Sequence, residues 1–212
     1  MNFEAAIFDL DGTLIDSMWI WEKIIFKFLD NHSCKYDMNI AEEIAYMTFE
    51  LSSAYIKKLY SLPQSCEEIM SEWISMSEDY YKSVLKPKKG AKEYLELLKS
   101  QGVRTALATA CPRYLCESVL KSNDMEKYFE FIVYAEDVGK SKEEPDVYIE
   151  TLHRLNLTAD KCMLYEDILV ALHTAHSIGL KVTIVEDTTS IEDKEELMLE
   201  SDFYIKDFTE LL

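Results

Sequence analysis

The sequence predicts an α/β protein, a Rossmann-like core whose parallel sheet is flanked by helices, interrupted by an inserted all-α cap. Three observations carry this. From position 90 onward, short apolar runs alternate with amphipathic stretches of about 10 residues, the pattern of a parallel sheet covered on both faces. One further apolar run, EAAIF at 4–8, opens the chain. Between the two lies a stretch from 13 to 89 that has no glycine and holds all three tryptophans.

The elements follow in order. EAAIF supplies the first strand. After Trp21, the residues Ile24, Ile25, Phe28 and Leu29 recur at helical spacing, as do Ile69, Met70, Trp73, Ile74 and Tyr81 later, with Pro63 separating two helical segments. The helical insert is placed at 17–86, up to the punctuation KPKKG, which leaves 1–16 and 87–212 as the α/β core. AKEYLELLKSQG is an amphipathic helix ending at Gly102. VRTALAT is a strand, and Pro112 opens the next helix from its first position, where a missing N–H costs nothing. FEFIVYA, KCMLYE, KVTIVE and DFYI are further strands, separated by helices around 146–155, 168–178 and 190–199.

With 212 residues, 48% of them hydrophobic, the chain is long enough to bury a core. No apolar run approaches the ~20 residues that span a bilayer, and no secretory pattern opens the chain, so the expectation is a cytoplasmic protein without a membrane partner. Forty acidic residues against 22 basic ones give a net charge of −18, which repels nucleic acid over a Debye length of ~8 Å. The five cysteines form no C-x-x-C pair, against both a disulfide framework and a zinc knuckle. Cys111 is read as packing. Oligomeric state is open, with a monomer among the states the sequence allows.

In open α/β sheets, ligands bind at the carboxyl ends of the strands. The first strand is followed by Asp9, Leu10, Asp11, Gly12 and Thr13; VRTALA by Thr109, Ala110 and Cys111; KCMLY by Glu166 and Asp167; and FIVYA by a loop with Lys140 and Lys142. Each alone has an ordinary explanation: an acidic turn, a helix N-terminus, an N-cap, solvated lysines. Together they bring up to four carboxylates to one crevice. Two like charges ~4 Å apart repel by about 4 kcal/mol at an effective dielectric of about 20. A hard divalent cation relieves that, and Mg²⁺ suits oxygen ligands that leave room for a phosphate.

The ordered set, with FDLDGTLIDS at 8–17 its most specific part, resembles the haloacid dehalogenase (HAD) superfamily. Within it, the chain looks like the branch with a small helical cap after the first strand, which includes β-phosphoglucomutase and many small-molecule phosphatases. The resemblance implies that Asp9 is the nucleophile that forms an aspartyl-phosphate and that Asp11 is the general acid and base. It implies that Thr109, the Ala110 N–H and Lys142 hold the phosphoryl group, with Lys140 the competitor for the lysine role. It also implies that Asp9, the Asp11 carbonyl, Glu166 and Asp167 bind Mg²⁺. The run KEEPD departs from the family's usual lysine-proline pair and puts the loop's conformation in question.

The resemblance implies a phosphatase acting on a small phosphorylated metabolite. A mutase of the β-phosphoglucomutase type would carry a histidine where Trp21 stands and an arginine in the cap, yet 17–103 contains no arginine. A phosphonate hydrolase would need a cap lysine forming a Schiff base, and nothing marks Lys57, Lys58 or Lys82 for that. A catalytically silent protein would have lost Asp9 or Asp11. Trp19, Trp21, the segment Met47–Glu50 and Arg113 are the candidates for contact with the rest of the substrate.

Overall fold

The computed structural model describes residues 3–44, 47 and 49–212. These divide into two compact units, Met1–Met18 with Leu85–Leu212, and Trp19–Val84.

The first unit is built on six strands: β1 (Ala5–Phe8), β2 (Arg104–Thr109), β3 (Ile132–Tyr134), β4 (Cys162–Glu166), β5 (Lys181–Val185) and β6 (Phe203–Ile205). They pair in parallel in the order β3-β2-β1-β4-β5-β6. The chain starts at the centre, winds outward through β2 and β3, and returns to wind the other way through β4 to β6. The winding therefore reverses between β1 and β4, the switch point at which open α/β sheets place their ligands. Every residue of β1 and of β4 is buried, as a sheet covered on both faces requires. One face packs Ile7, Ala106, Leu164, Val182 and Ile184 into a core with Val147 and Tyr148. On the other, the Phe8 and Tyr165 rings stack at 4.5 Å, and the Tyr94 and Tyr165 hydroxyls share a hydrogen bond of 2.5 Å.

In chain order the helices are α1 (Trp19–Asn31), α2 (Ile40–Ile44), α3 (Phe49–Tyr60), α4 (Cys66–Asp79), α5 (Ala91–Ser100), α6 (Arg113–Ser122), α7 (Ala135–Val138), α8 (Asp146–Leu155), α9 (Leu169–Ser177) and α10 (Lys194–Glu200). The first four lie in the second unit. There α1 buries Ile20, Ile24, Ile25, Phe28 and Leu29, the stripe its periodicity predicts. Ser65 and Glu68 form a reciprocal capping box at the start of α4, which buries Ile69 and Trp73.

Four boundaries differ from the sequence expectation. The helical unit is shorter than 17–86 by two residues at each end, because the two crossings are zipped together within the first unit. Asp16 N–H donates to the Lys86 carbonyl, Lys88 N–H to the Leu14 carbonyl, and Ile15 bridges Pro87. Pro112 caps α6 with an extended ψ of 133° rather than occupying its first turn, so its carbonyl accepts from Leu115 and Cys116. The helix expected at 190–199 begins only at Lys194, since the Asp187 side chain closes a 3₁₀ turn over 188–190 first. The loop after β3 contains α7, a single turn stopped by Gly139 at φ +68°.

Candidate active site

The turn after β1 sets the geometry. Leu14 and Ile15 N–H groups both donate to the Leu10 carbonyl, and Gly12 N–H donates to that of Ile15. This tight reversal puts Gly12 at φ +77°, where glycine alone is unstrained. A Cβ there would lie 2.1 Å from Asp167 Oδ2, so the turn and Asp167 touch only because residue 12 has no side chain. Thr13, fully buried, donates its hydroxyl to Asp167 Oδ1 at 3.0 Å. Ser17 donates to Asp11 Oδ1 at 2.6 Å, fixing the half-buried second aspartate.

Asp9 is buried at the end of β1, its N–H held by the Tyr165 carbonyl. Lys142, itself buried, donates to Asp9 Oδ1 and, at 2.5 Å, to Glu166 Oε1. Glu166 ends β4 with no exposed surface. Its Oε1 also accepts the Tyr148 hydroxyl at 2.9 Å, and Oε2 accepts the Asp167 N–H at 3.2 Å. Asp9, Glu166 and Asp167 each present a carboxylate oxygen within 4.8 Å of the others, forming a buried acidic cluster that could hold a metal ion.

The electrostatics agree with the donor set. Burial pushes the Asp9 carboxyl up to about 7; Lys142 pulls against this, while Glu166 and Asp11 add to it. Asp167 is driven well above the usual carboxylate range by burial, then by Glu166, Asp9 and Asp187, with Lys88 opposing. Burial disfavours the charged form of Lys142, but Asp9 and Glu166 overcome this and hold it protonated. One ammonium thus faces three buried carboxylates, an all-oxygen donor set with excess negative charge, which fits a hard divalent cation. The other grouping of metal-ligand side chains among the described residues, His173 with Glu196 and Glu200, is exposed, and His173 is already paired with Glu200 at 2.7 Å.

Thr109 ends β2 almost completely buried, and its Oγ1 accepts the Cys111 N–H at 3.0 Å, curling the turn that leads into α6. Ala110 is exposed on that turn. Lys140 does not join Lys142: it is exposed and paired with Glu144 at 2.8 Å. The KEEPD loop closes through Glu144 N–H on the Ser141 carbonyl and delivers Pro145 as the cap of α8. Arg113 Nη2 donates to both Asp137 carboxylate oxygens, at 2.7 and 2.9 Å, and the guanidinium lies 4.0 Å over the Tyr134 ring, an ion pair at the protein surface. In the helical unit, Trp19 meets Tyr80 edge-on with Lys23 over its ring, and Trp21 meets Phe49 edge-on at 4.8 Å. Of the candidate segment 47–50, Thr48 lies outside the described residues.

Three contributors escaped the sequence reading. Tyr148 looked like any apolar position of an amphipathic helix. Lys88 and Asp187 form an ion pair of 2.9 Å that is almost fully buried, and its two charges bear on Asp167 in opposite senses. The strand end after β5 carried the only legible signal for this pair, an acid at 187 in line with those at 9 and 167.

The comparisons agree with this architecture. The pattern of the haloacid dehalogenase-like hydrolases matches residues 6–185. A phosphorylated carbohydrates phosphatase of Thermotoga maritima is 26% identical over 178 residues, covering 84% of this chain and 82% of that protein. The pyrophosphatase PpaX of Bacillus cereus is 24% identical over 169 residues, covering 79% and 76%. The crystal structure of CbbY from Rhodobacter sphaeroides in complex with phosphate superposes with a TM-score of 0.83 at 19% identity, covering 99% of this chain and 96% of that one, a likeness of fold. With the family pattern spanning both β1 and β4 and the buried acids at their ends, the chain belongs to the haloacid dehalogenase-like hydrolases.

Proposed function

We propose that the protein is a Mg²⁺-dependent phosphatase that hydrolyses a small phosphorylated metabolite through an aspartyl-phosphate on Asp9. The observation that carries this reading is the buried Asp9 held by Lys142, with Glu166 and Asp167 beside it and Asp11 two residues on. Two curated relatives are named a phosphorylated carbohydrates phosphatase and a pyrophosphatase, which supports the substrate class.

In this reading, an Asp9 carboxylate oxygen attacks phosphorus, the ester P–O bond breaks, and the leaving alkoxide takes the proton of the Asp11 carboxyl. Asp11, now ionised, takes a proton from water. The water oxygen attacks phosphorus, the Asp9–phosphorus bond breaks, and inorganic phosphate leaves. Splitting the displacement in two lets each step use one aligned nucleophile. Ser17 holds Asp11 for both transfers. Lys142 opposes the protonation of Asp9 that burial favours and, with the Thr109 hydroxyl and Ala110 N–H, balances charge on the phosphoryl oxygens. Asp9, the Asp11 carbonyl, Asp167 and Glu166 would hold Mg²⁺, which when bound supplies Lewis-acid stabilisation of the transferring group.

Hydrolysis is favoured over phosphoryl return to a second hydroxyl, because Trp21 occupies the position of the mutase histidine and packs on Phe49. The test is phosphate release from a panel of sugar phosphates, pyrophosphate and other small esters, with Mg²⁺ and with EDTA, beside Asp9→Asn. Release that needs Mg²⁺ and disappears in Asp9→Asn is expected. Release that persists in Asp9→Asn overturns the mechanism, and silence from folded wild-type protein across the panel overturns the phosphatase.

A further inference from the structure

We infer that Tyr148 is a positioning residue, whose hydroxyl fixes the Glu166 carboxylate so that Glu166 can hold Lys142 against Asp9. The inference rests on the phosphatase reading and adds to it a residue outside the motifs.

Tyr148 lies in the first turn of α8, fully buried on the face packed against the sheet. A phenylalanine would fill that core position equally well, so the hydroxyl needs its own reason. It donates to Glu166 Oε1 at 2.9 Å, the same oxygen that accepts Lys142 at 2.5 Å. Glu166 Oε2 is held from the other side by the Asp167 N–H. All three donors come from the protein, so the buried carboxylate is confined to one orientation. Lys142 is shared between Glu166 and Asp9. When Glu166 rotates, the shared ammonium moves with it, and the nucleophile loses its counter-charge and its aim. Tyr148 touches none of the reacting atoms; its effect passes through Glu166 and then Lys142.

The experiment compares wild type, Tyr148→Phe, Glu166→Ala and the double variant on the ester that wild type hydrolyses best. Tyr148→Phe should lower kcat about ten-fold, the scale set by one lost hydrogen bond to a buried charge, with KM within about two-fold. The half-saturating Mg²⁺ concentration should rise; the Tm falls as well by the worth of that one hydrogen bond, so kcat per folded molecule and the Mg²⁺ dependence are the deciding readouts. A purely structural role would lower the Tm and leave kcat per folded molecule and the Mg²⁺ dependence unmoved. In the Glu166→Ala background, where the acceptor is gone, Tyr148→Phe should cost nothing further. An unchanged kcat in folded Tyr148→Phe overturns the inference, as does an equal loss in the Glu166→Ala background. Should wild type hydrolyse no ester, the phosphatase reading falls, and the rise in Tm on adding Mg²⁺ still decides Tyr148: a smaller rise in Tyr148→Phe supports it, an equal rise refutes it.

Discussion

Gly12→Ala tests the meeting of the β1 turn with Asp167 most directly. Two penalties add. A left-handed backbone costs an alanine about 1–2 kcal/mol, and Gly12 sits at φ +77°. The new methyl would also lie 2.1 Å from Asp167 Oδ2 and 2.8 Å from its Cγ. The carboxylate must therefore move by about 1 Å to restore van der Waals contact. That breaks the 3.0 Å bond from Thr13, a hydrogen bond to a charged group worth about 1.5–3 kcal/mol. The total is about 2.5–5 kcal/mol, a Tm loss of about 5–20 °C for a chain of this size. Gly102→Ala is the internal control: its φ is +72°, and nothing lies within 4 Å of its Cβ direction, so it carries the backbone penalty alone. Thermal unfolding of both variants with EDTA and with Mg²⁺ separates the penalties. Gly12→Ala should melt well below Gly102→Ala and should need at least about ten times more Mg²⁺ for the same stabilisation, a shift of about 1.4 kcal/mol. Equal melting of the two variants, with wild-type Mg²⁺ dependence in both, would refute the argument that Asp167 is seated against the turn and serves the metal.

Other perturbations follow from the same charges. Lys142→Met leaves Asp9 and Glu166 buried without their cation and should cost about 3–5 kcal/mol in EDTA, with Mg²⁺ restoring more stability than it adds to wild type; calorimetry under both conditions checks it. The Asp9 carboxyl, near 3.8 unfolded and pushed up to about 7 by burial, keeps in the folded metal-free protein a proton that the unfolded chain releases. Its contribution to stability is complete below about 4 and is lost as pH rises through about 7. Metal-free wild type should therefore lose more stability than Asp9→Asn between pH of about 5 and about 7.5, and parallel melting curves would contradict this. In the helical unit, Ser65→Ala removes the side-chain half of the α4 capping box and should cost about 1 kcal/mol in denaturant titration without altering phosphate release.

The strands were legible because they are buried on both faces. AAIF and CMLY carry no alternation to misread, and their burial is complete. The boundaries that shifted are those set by side chains binding backbone or by pairing between distant backbone segments. Asp187, capping a 3₁₀ turn, postpones α10, and the pairing of Asp16 with Lys86 and of Leu14 with Lys88 draws the two crossings into the sheet unit. Such bonds join residues far apart in sequence or compete locally with helix, and neither leaves a periodic trace.

The acids of the site were legible for a different reason: a parallel sheet delivers the residue after each strand to one edge, so position in the chain stands in for position in space. That rule reaches Asp9, Thr109, Glu166 and Asp167, but not a group that arrives from a helix face. Lys142 and Lys140 are two residues apart on one loop. Only the fold separates them, one buried on Asp9 and Glu166, the other exposed on Glu144. Tyr148 shows the limit most sharply, since its apolar ring satisfies the helix periodicity while its hydroxyl serves Glu166. The chemistry that burial permits is read from the carboxylates; the restraint that makes it usable comes from Tyr148, Thr13 and Ser17, each holding one of them by a single hydroxyl. A buried acidic cluster with one lysine is poorly stable by itself, and the Tyr148 and Thr13 hydroxyls hold two of its members, Glu166 and Asp167, in fixed orientations.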